Sequence, residues 1–182
     1  MTLIILGKNI TEEQITDFNQ AWNTAFDKDK VILDKATINP ADKIFFEYDH
    51  DILVAVARLR KISPIYVGEV GYQEEVWGLC DVSVCGTKGR GYGKKLVLHS
   101  IDYCKHHGIK SLIGLHGKDT TLDNFYTKCR MLINEDIPKR MTRIKNNEIL
   151  TLGHCNISYL PKDPFVEFVK NSKDVIKVPH GW

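Results

Sequence analysis

The run Cys85-Gly86-Thr87-Lys88-Gly89-Arg90-Gly91-Tyr92-Gly93-Lys94-Lys95-Leu96 sits between two patterned segments and constrains the chain more than any other stretch. Before it, Val76–Cys85 reads as a β run. After it, residues from about Tyr92 to His107 read as a helix with Val97, Ile101 and Cys104 on one face, and Gly108 is a natural residue to end it. A mid-chain strand, glycine loop and helix are therefore expected. Glycines at positions 89, 91 and 93 open backbone conformations closed to other residues and leave no Cβ in the way of a ligand. N–H groups at the start of the following helix point at one spot, where the helix dipole favours negative charge. Lys88, Arg90, Lys94 and Lys95 add positive charge, so a pyrophosphate suits the segment. The plainer reading is a glycine-rich turn with solvated lysines. It is neither a Walker loop nor a dinucleotide fingerprint, because G-x-x-x-x-G-K-S/T and G-x-G-x-x-G are both absent.

The rest of the chain supplies a mixed sheet. Thr2–Leu6 is a first strand, and Thr11-Glu12-Glu13-Gln14 has the form of a capping box. Ile15, Phe18, Trp22 and Ala25 then recur at helical spacing up to the charged stop at Asp27. Lys43–Tyr48 and Ile52–Ile62 are β runs joined by Asp49-His50-Asp51, and residues 63–75 read as a loop or an irregular connection. Ser111–Leu115 is a buried-strand candidate and Thr120–Cys129 a short helix capped by Asp119 or Thr120. Ile149–Cys155 and Ile157–Leu160 are further strands, and Pro164–Lys170 is a helical turn or two. Hairpins first and a βα crossover in the middle give an α/β fold. With 182 residues, one domain over residues 1–155 is expected, and residues 156–182 form a C-terminal extension packed on it.

Five cysteines without a C-x-x-C pair, and no His-Glu-x-x-His motif, argue for free, mostly buried thiols, no metal and a reducing, cytoplasmic setting. A net charge of +2 gives no footprint for nucleic acid. The apolar run at the N-terminus is far shorter than the ~18 residues of a membrane span, so no membrane association is expected.

The run Asp81-Val82-Ser83-Val84 followed by Lys88-Gly89-Arg90-Gly91-Tyr92-Gly93 resembles the signature of GNAT N-acetyltransferases, Gln/Arg-x-x-Gly-x-Gly/Ala after a strand. Ile52–Leu59 resembles the family's central hairpin strand, and Asn124-Phe125-Tyr126-Thr127-Lys128 its Phe-Tyr-x-Lys helix. These elements stand in family order over roughly residues 43–135. The resemblance implies a GNAT fold: a central mixed, mostly antiparallel sheet flanked by helices. It implies acetyl-CoA as co-substrate, without metal, held by Val82, Ser83, Val84, Lys88, Gly89, Arg90, Gly91, Tyr92, Gly93 and Lys94. Lys88 stands where the family has Gln or Arg, and Leu122 where it often has asparagine.

The resemblance also makes Tyr126 the acid that protonates the departing thiolate; otherwise Tyr126 is a core tyrosine with a local hydrogen bond. Asp81 is the candidate base or ammonium anchor, on a strand face expected to hold Trp77, Leu79, Asp81 and Ser83. Glu74, Glu75 and His116 are further base candidates. Cys80 and Cys85 carry no mark of an activated nucleophile. Within the superfamily, Gly78–Arg143 is similar to glucosamine-6-phosphate N-acetyltransferases through Gly78, Asp81, Val82, Val84, Gly93, Lys94, Leu96, Ile101–Cys104, Phe125, Tyr126, Lys128 and Cys129. Cys80 replaces that group's glutamate, and Arg130-Met131 its Gly-Phe. A small amine such as an amino-sugar phosphate is the expected acceptor. A protein lysine or N-terminus is the alternative substrate, and a catalytically silent acyl-CoA-binding module the alternative of another class. A homodimer is left open.

Overall fold

The computed structural model describes residues 1–62, 64–145 and 148–179. In chain order the elements are β1 (Thr2–Leu6), α1 (Glu12–Phe26), β2 (Lys43–Asp49), β3 (Ile52–Lys61), β4 (Ile65–Val67) and β5 (Val70–Tyr72). Then come β6 (Val76–Val84), α2 (Tyr92–His106), β7 (Ser111–Gly117), α3 (Thr120–Lys128), β8 (Leu132–Asn134) and α4 (Ile137–Arg140). The chain continues with β9 (Met141–Lys145), β10 (Glu148–Thr151), β11 (Cys155–Tyr159), α5 (Pro164–Lys170) and β12 (Ile176–Val178). It divides into two compact units, Met1–Arg60 with Leu79–Tyr103, and Lys61–Gly78 with Cys104–Trp182.

The first unit carries the order β1-β2-β3-β6. β1 and β2 pair antiparallel from Thr2↔Glu47 to Leu6↔Lys43. β2 and β3 form a hairpin closed by His50 and Asp51, both at positive φ (46° and 39°). Two left-handed residues give a turn whose twist matches the strands, and His and Asp tolerate that region better than most residues. Successive residues of β2 point to opposite faces. Phe46 meets Phe18 of α1 edge-on at 6.2 Å, and Phe45 meets Tyr103 at 5.8 Å. Helix α1 starts with the full capping box of Thr11 and Gln14, and it buries Ile15, Phe18 and Ala21 against Ile44, Phe46 and Val56.

In the second unit, β6 pairs parallel with β7 over Val76–Gly78, and β11 lies antiparallel between β7 and β8. A second sheet has the order β10-β9-β12-β4-β5, with β12 parallel to β9 and antiparallel to β4. The stretch 63–75, expected to be irregular, contains the short hairpin β4–β5. Two runs of three residues, one followed by Gly68 and the other holding Gly71, are too short to show alternation, and pairing of β4 with β12 stabilises what the local sequence does not announce. The core joins Ile65, Ile113, Ile157, Phe165, Val166 and Ile176. Asp163 caps α5, accepting from the backbone of Phe165 and Val166, and it also accepts from Leu112 of β7 at 2.9 Å. Burial pushes this carboxyl up to about 6 against the pull of those donors. The His107–Ile109 turn after α2 closes with Ile109 N–H on the Cys104 carbonyl and Gly108 N–H on that of Lys105, the two bonds of a Schellman ending.

Candidate functional site

The glycine loop keeps the form its sequence implies. Gly89 and Gly91 have φ of 84° and 80°, where side-chain-bearing residues are strained. A Cβ placed on either would meet nothing within 4 Å. The backbone there is bare to a ligand, and the added atom would occupy the ligand's space rather than the protein's. α2 begins at Tyr92, and its first turn supplies N–H groups without intrahelical partners. Lys88, Arg90 and Lys94 are exposed around the loop, whereas Lys95 turns to the fully buried carboxylate of Glu47. Tyr92 donates its phenol hydrogen to Asp49 at the end of β2, which ties the start of α2 to the hairpin turn. That bond holds the Asp49 carboxyl below its usual range. A pyrophosphate fits this set: bare glycine backbone, a helix N-terminus and three exposed cations.

Leading into the loop, residues 79–84 of β6 run past the Val76–Gly78 stretch that pairs with β7. Strand residues that run past a ladder present N–H and C=O groups that an extended amide-bearing ligand can pair with. Val82 and Val84 are half-buried, and buried Ser83 donates to the Asp81 carbonyl at 3.0 Å. Asp81 has φ 54°, so the alternation expected through Trp77, Leu79, Asp81 and Ser83 breaks at this residue. A left-handed residue inside a strand acts as a bulge, re-aiming the side chains beside it.

The Asp81 side chain meets Arg58, with Arg58 Nη2 2.6 Å from Asp81 Oδ2. Arg58 lies inside the buried run of β3, and Asp42, without exposed surface, faces both Arg58 (4.0 Å) and Arg60 (3.2 Å). Burial raises the Asp42 carboxyl, and the two guanidinium groups offset part of that rise. Two acids and two arginines thus neutralise one another beneath the bulge. Arg58 and Asp42 were not singled out in the sequence. The one signal was a pair of arginines inside the otherwise apolar Leu53–Leu59 stretch and just after it.

Tyr126 belongs to the second unit, on α3, and is buried. Its ring stacks on His116 of β7 (centroids 4.7 Å apart, planes at 25°) and meets Phe125 edge-on. Glu75 binds Lys61 and accepts from the Trp77 indole, and both hold its carboxyl below the usual range. Such a carboxylate is a poor proton acceptor. Glu74 is exposed.

The Cys80 thiol is pushed up to about 12 by burial and by Asp81 beside it, and Cys85 is raised by burial. Neither is a thiolate near neutral pH. All five cysteines are free; Cys104 and Cys129 are buried, and the other three are half-buried. Among the described residues no group of three His, Cys, Asp or Glu side chains is placed to hold a metal ion, and no helix is long and apolar enough to cross a membrane.

Comparisons with known proteins agree with this architecture. The chain is similar in structure to Escherichia coli ElaA (TM-score 0.62, 16% identity, covering 88% of this chain and 99% of that one). It is similar also to a Bacillus subtilis acetyltransferase solved in complex with CoA (TM-score 0.55, 22% identity, 88% and 98% covered). A third likeness is to an acyl-CoA N-acyltransferase from Pseudomonas aeruginosa (TM-score 0.61, 11% identity, 88% and 99% covered). At these identities the likenesses establish the fold. No curated protein matches the sequence. The acetyltransferase (GNAT) family profile matches residues 8–130, well over half of the chain. The chain therefore belongs to the acetyltransferase (GNAT) family, as an N-acetyltransferase with acetyl-CoA as its acetyl donor.

Proposed function

We propose that this enzyme transfers the acetyl group directly from acetyl-CoA to a small primary amine, with an amino-sugar phosphate such as glucosamine 6-phosphate as the leading acceptor. The observation that carries the cofactor half is the bare backbone at Gly89 and Gly91, where α2 begins, after the part of β6 that runs past its register with β7. Lys88–Lys94 hold the pyrophosphate, and the peptide groups of Val82–Val84 pair with the pantetheine amides. Support for the acceptor comes from the sequence: Gly78, Asp81, Val82 and Val84 on β6 and the Phe125-Tyr126-x-Lys128-Cys129 run on α3.

In the reaction the amine nitrogen, as its free base, attacks the thioester carbonyl carbon. The new N–C bond forms, the C–S bond breaks and the sulfur leaves with the bonding pair. Tyr126 gives its phenolic proton to that sulfur, the nitrogen sheds its surplus proton, and the phenolate is reprotonated from solvent. Thiol release from acetyl-CoA should be fastest with glucosamine 6-phosphate in a panel that also holds spermidine and a lysine-bearing peptide. Turnover of the peptide with none for the small amines would overturn the acceptor assignment.

Asp81 receives a different part in this reading from the base or anchor that its sequence position implies. The Asp81 carboxylate is engaged by Arg58, and this pairing holds the bulge. Asp81→Asn should cost about 3 kcal/mol of stability, because a largely buried guanidinium loses a partner. The acidic limb in the pH profile of kcat/KM for the amine should survive in the folded variant. Loss of that limb would return Asp81 to the role of base.

A further inference from the structure

One group of buried polar side chains in the second unit has no part in the reading above. His116 on β7 is 8% exposed and lies directly across the β7–β11 ladder from Asn156, itself 6% exposed. Asn156 donates its amide to both oxygens of Asp123, at 2.9 and 3.1 Å. Asp123 stands one helical turn before Tyr126 on α3, and its Oδ1 is 3.7 Å from His116 Nδ1. The same nitrogen is 3.2 Å from the Gly117 carbonyl, so Nδ1 carries the hydrogen and donates it there. The imidazole is thus fixed at one edge by backbone and carboxylate, and its face lies against the Tyr126 ring. Among the described residues, His116 Nε2 and Asn156 Oδ1 are buried without hydrogen-bond partners. Buried polar atoms in that state are costly, and a chain that needed only to fill this space would do better with an apolar ring. Burial holds the imidazole below its usual pKa and therefore neutral at pH 7.

We propose that His116 is a positioning residue for Tyr126: the Asp123–Asn156 pair and the Gly117 carbonyl fix the imidazole, and the imidazole plane fixes the direction of the phenol hydroxyl. The proposal rests on the reading of Tyr126 as proton donor, and it concerns kcat rather than binding. A histidine that only packs would affect stability, not turnover per folded molecule.

The test is a double-mutant cycle on the full chain. The rate is thiol release from acetyl-CoA with whichever of glucosamine 6-phosphate, spermidine and the lysine peptide reacts fastest, normalised to folded protein by circular dichroism. His116→Ala should lower kcat about 10–100-fold, the scale set by a small misplacement of a reacting group, with the KM for acetyl-CoA nearly unchanged. In the Tyr126→Phe background the same substitution should cost less than about 3-fold, because the group it positions is gone. His116→Phe keeps a ring on Tyr126 but loses the contacts to Gly117 and Asp123, so its kcat should stay as low as that of His116→Ala; a parental kcat there would show that packing alone suffices and would overturn the positioning role. Where His116→Ala does not fold, Asp123→Ala serves in its place, with the same disappearance of its effect expected in the Tyr126→Phe background. Equal losses in both backgrounds, or a loss confined to KM, would overturn the positioning role while leaving Tyr126 as the acid. A parental kcat in Tyr126→Phe itself would remove the acid assignment, and this proposal with it.

Discussion

Tyr126→Phe is expected to lower kcat by about 10²–10⁴-fold, the range for a positioned general acid, while the KM for acetyl-CoA moves little. The substitution removes one oxygen and keeps the ring. The stack on His116 and the edge contact with Phe125 therefore persist, and α3 should hold its place. The thiolate then leaves without a proton from the enzyme, and the deficit falls on the chemical step alone. Single-turnover rates with saturating acetyl-CoA separate that step from product release. An unchanged rate there removes Tyr126 from the mechanism and leaves it a buried ring of α3.

Gly91→Val is expected to weaken CoA binding at least about 100-fold while the protein stays folded. Two effects combine. At φ 80° a β-branched residue is strained by about 1–2 kcal/mol, which pulls the loop away from its shape. The isopropyl group would also stand in the space left beside the backbone, where nothing lies within 4 Å. Because that space is solvent, the substitution clashes with no core atom, and circular dichroism should show a parental fold. Isothermal calorimetry with CoA reads the affinity, and Gly91→Ala, with a smaller intrusion, should fall between. Parental affinity in Gly91→Val would mean that the loop is a turn and the pyrophosphate binds elsewhere.

Elements whose signals are local were legible in the sequence. The capping box at Thr11, the hairpin at residues 49–51 and the end of α2 at Gly108 each depend on residues within a few positions of one another. Glycine chemistry made the open backbone of the loop at residues 89 and 91 readable for the same reason. Features set by distant partners were not readable. β4, β5, β8 and β12 are three residues each, too short to show a period, and exist through the ladders they join. The Asp81 bulge is invisible in Val76–Val84 because a strand pattern assumes regular pleating. The Arg58 and Asp42 contacts and the His116–Asp123–Asn156 arrangement need residues from β2, β3, β6, β7, α3 and β11 or the chain beside them, which no spacing rule brings together.

The place of β12 bears on how the polypeptide reaches this structure. Residues 176–178 lie between β9 and β4, so two neighbours wait for one strand that is made after both of them. β4 leaves the ribosome about a hundred residues before its partner, and closing so long a loop makes this pairing a slow step. Until then β4 and β9 each present an open edge able to recruit strands from another nascent chain. The first unit's hairpin, whose contacts are local, faces no such delay. The second unit is therefore where aggregation competes with folding, and its last strand works as the closing stitch of its sheet.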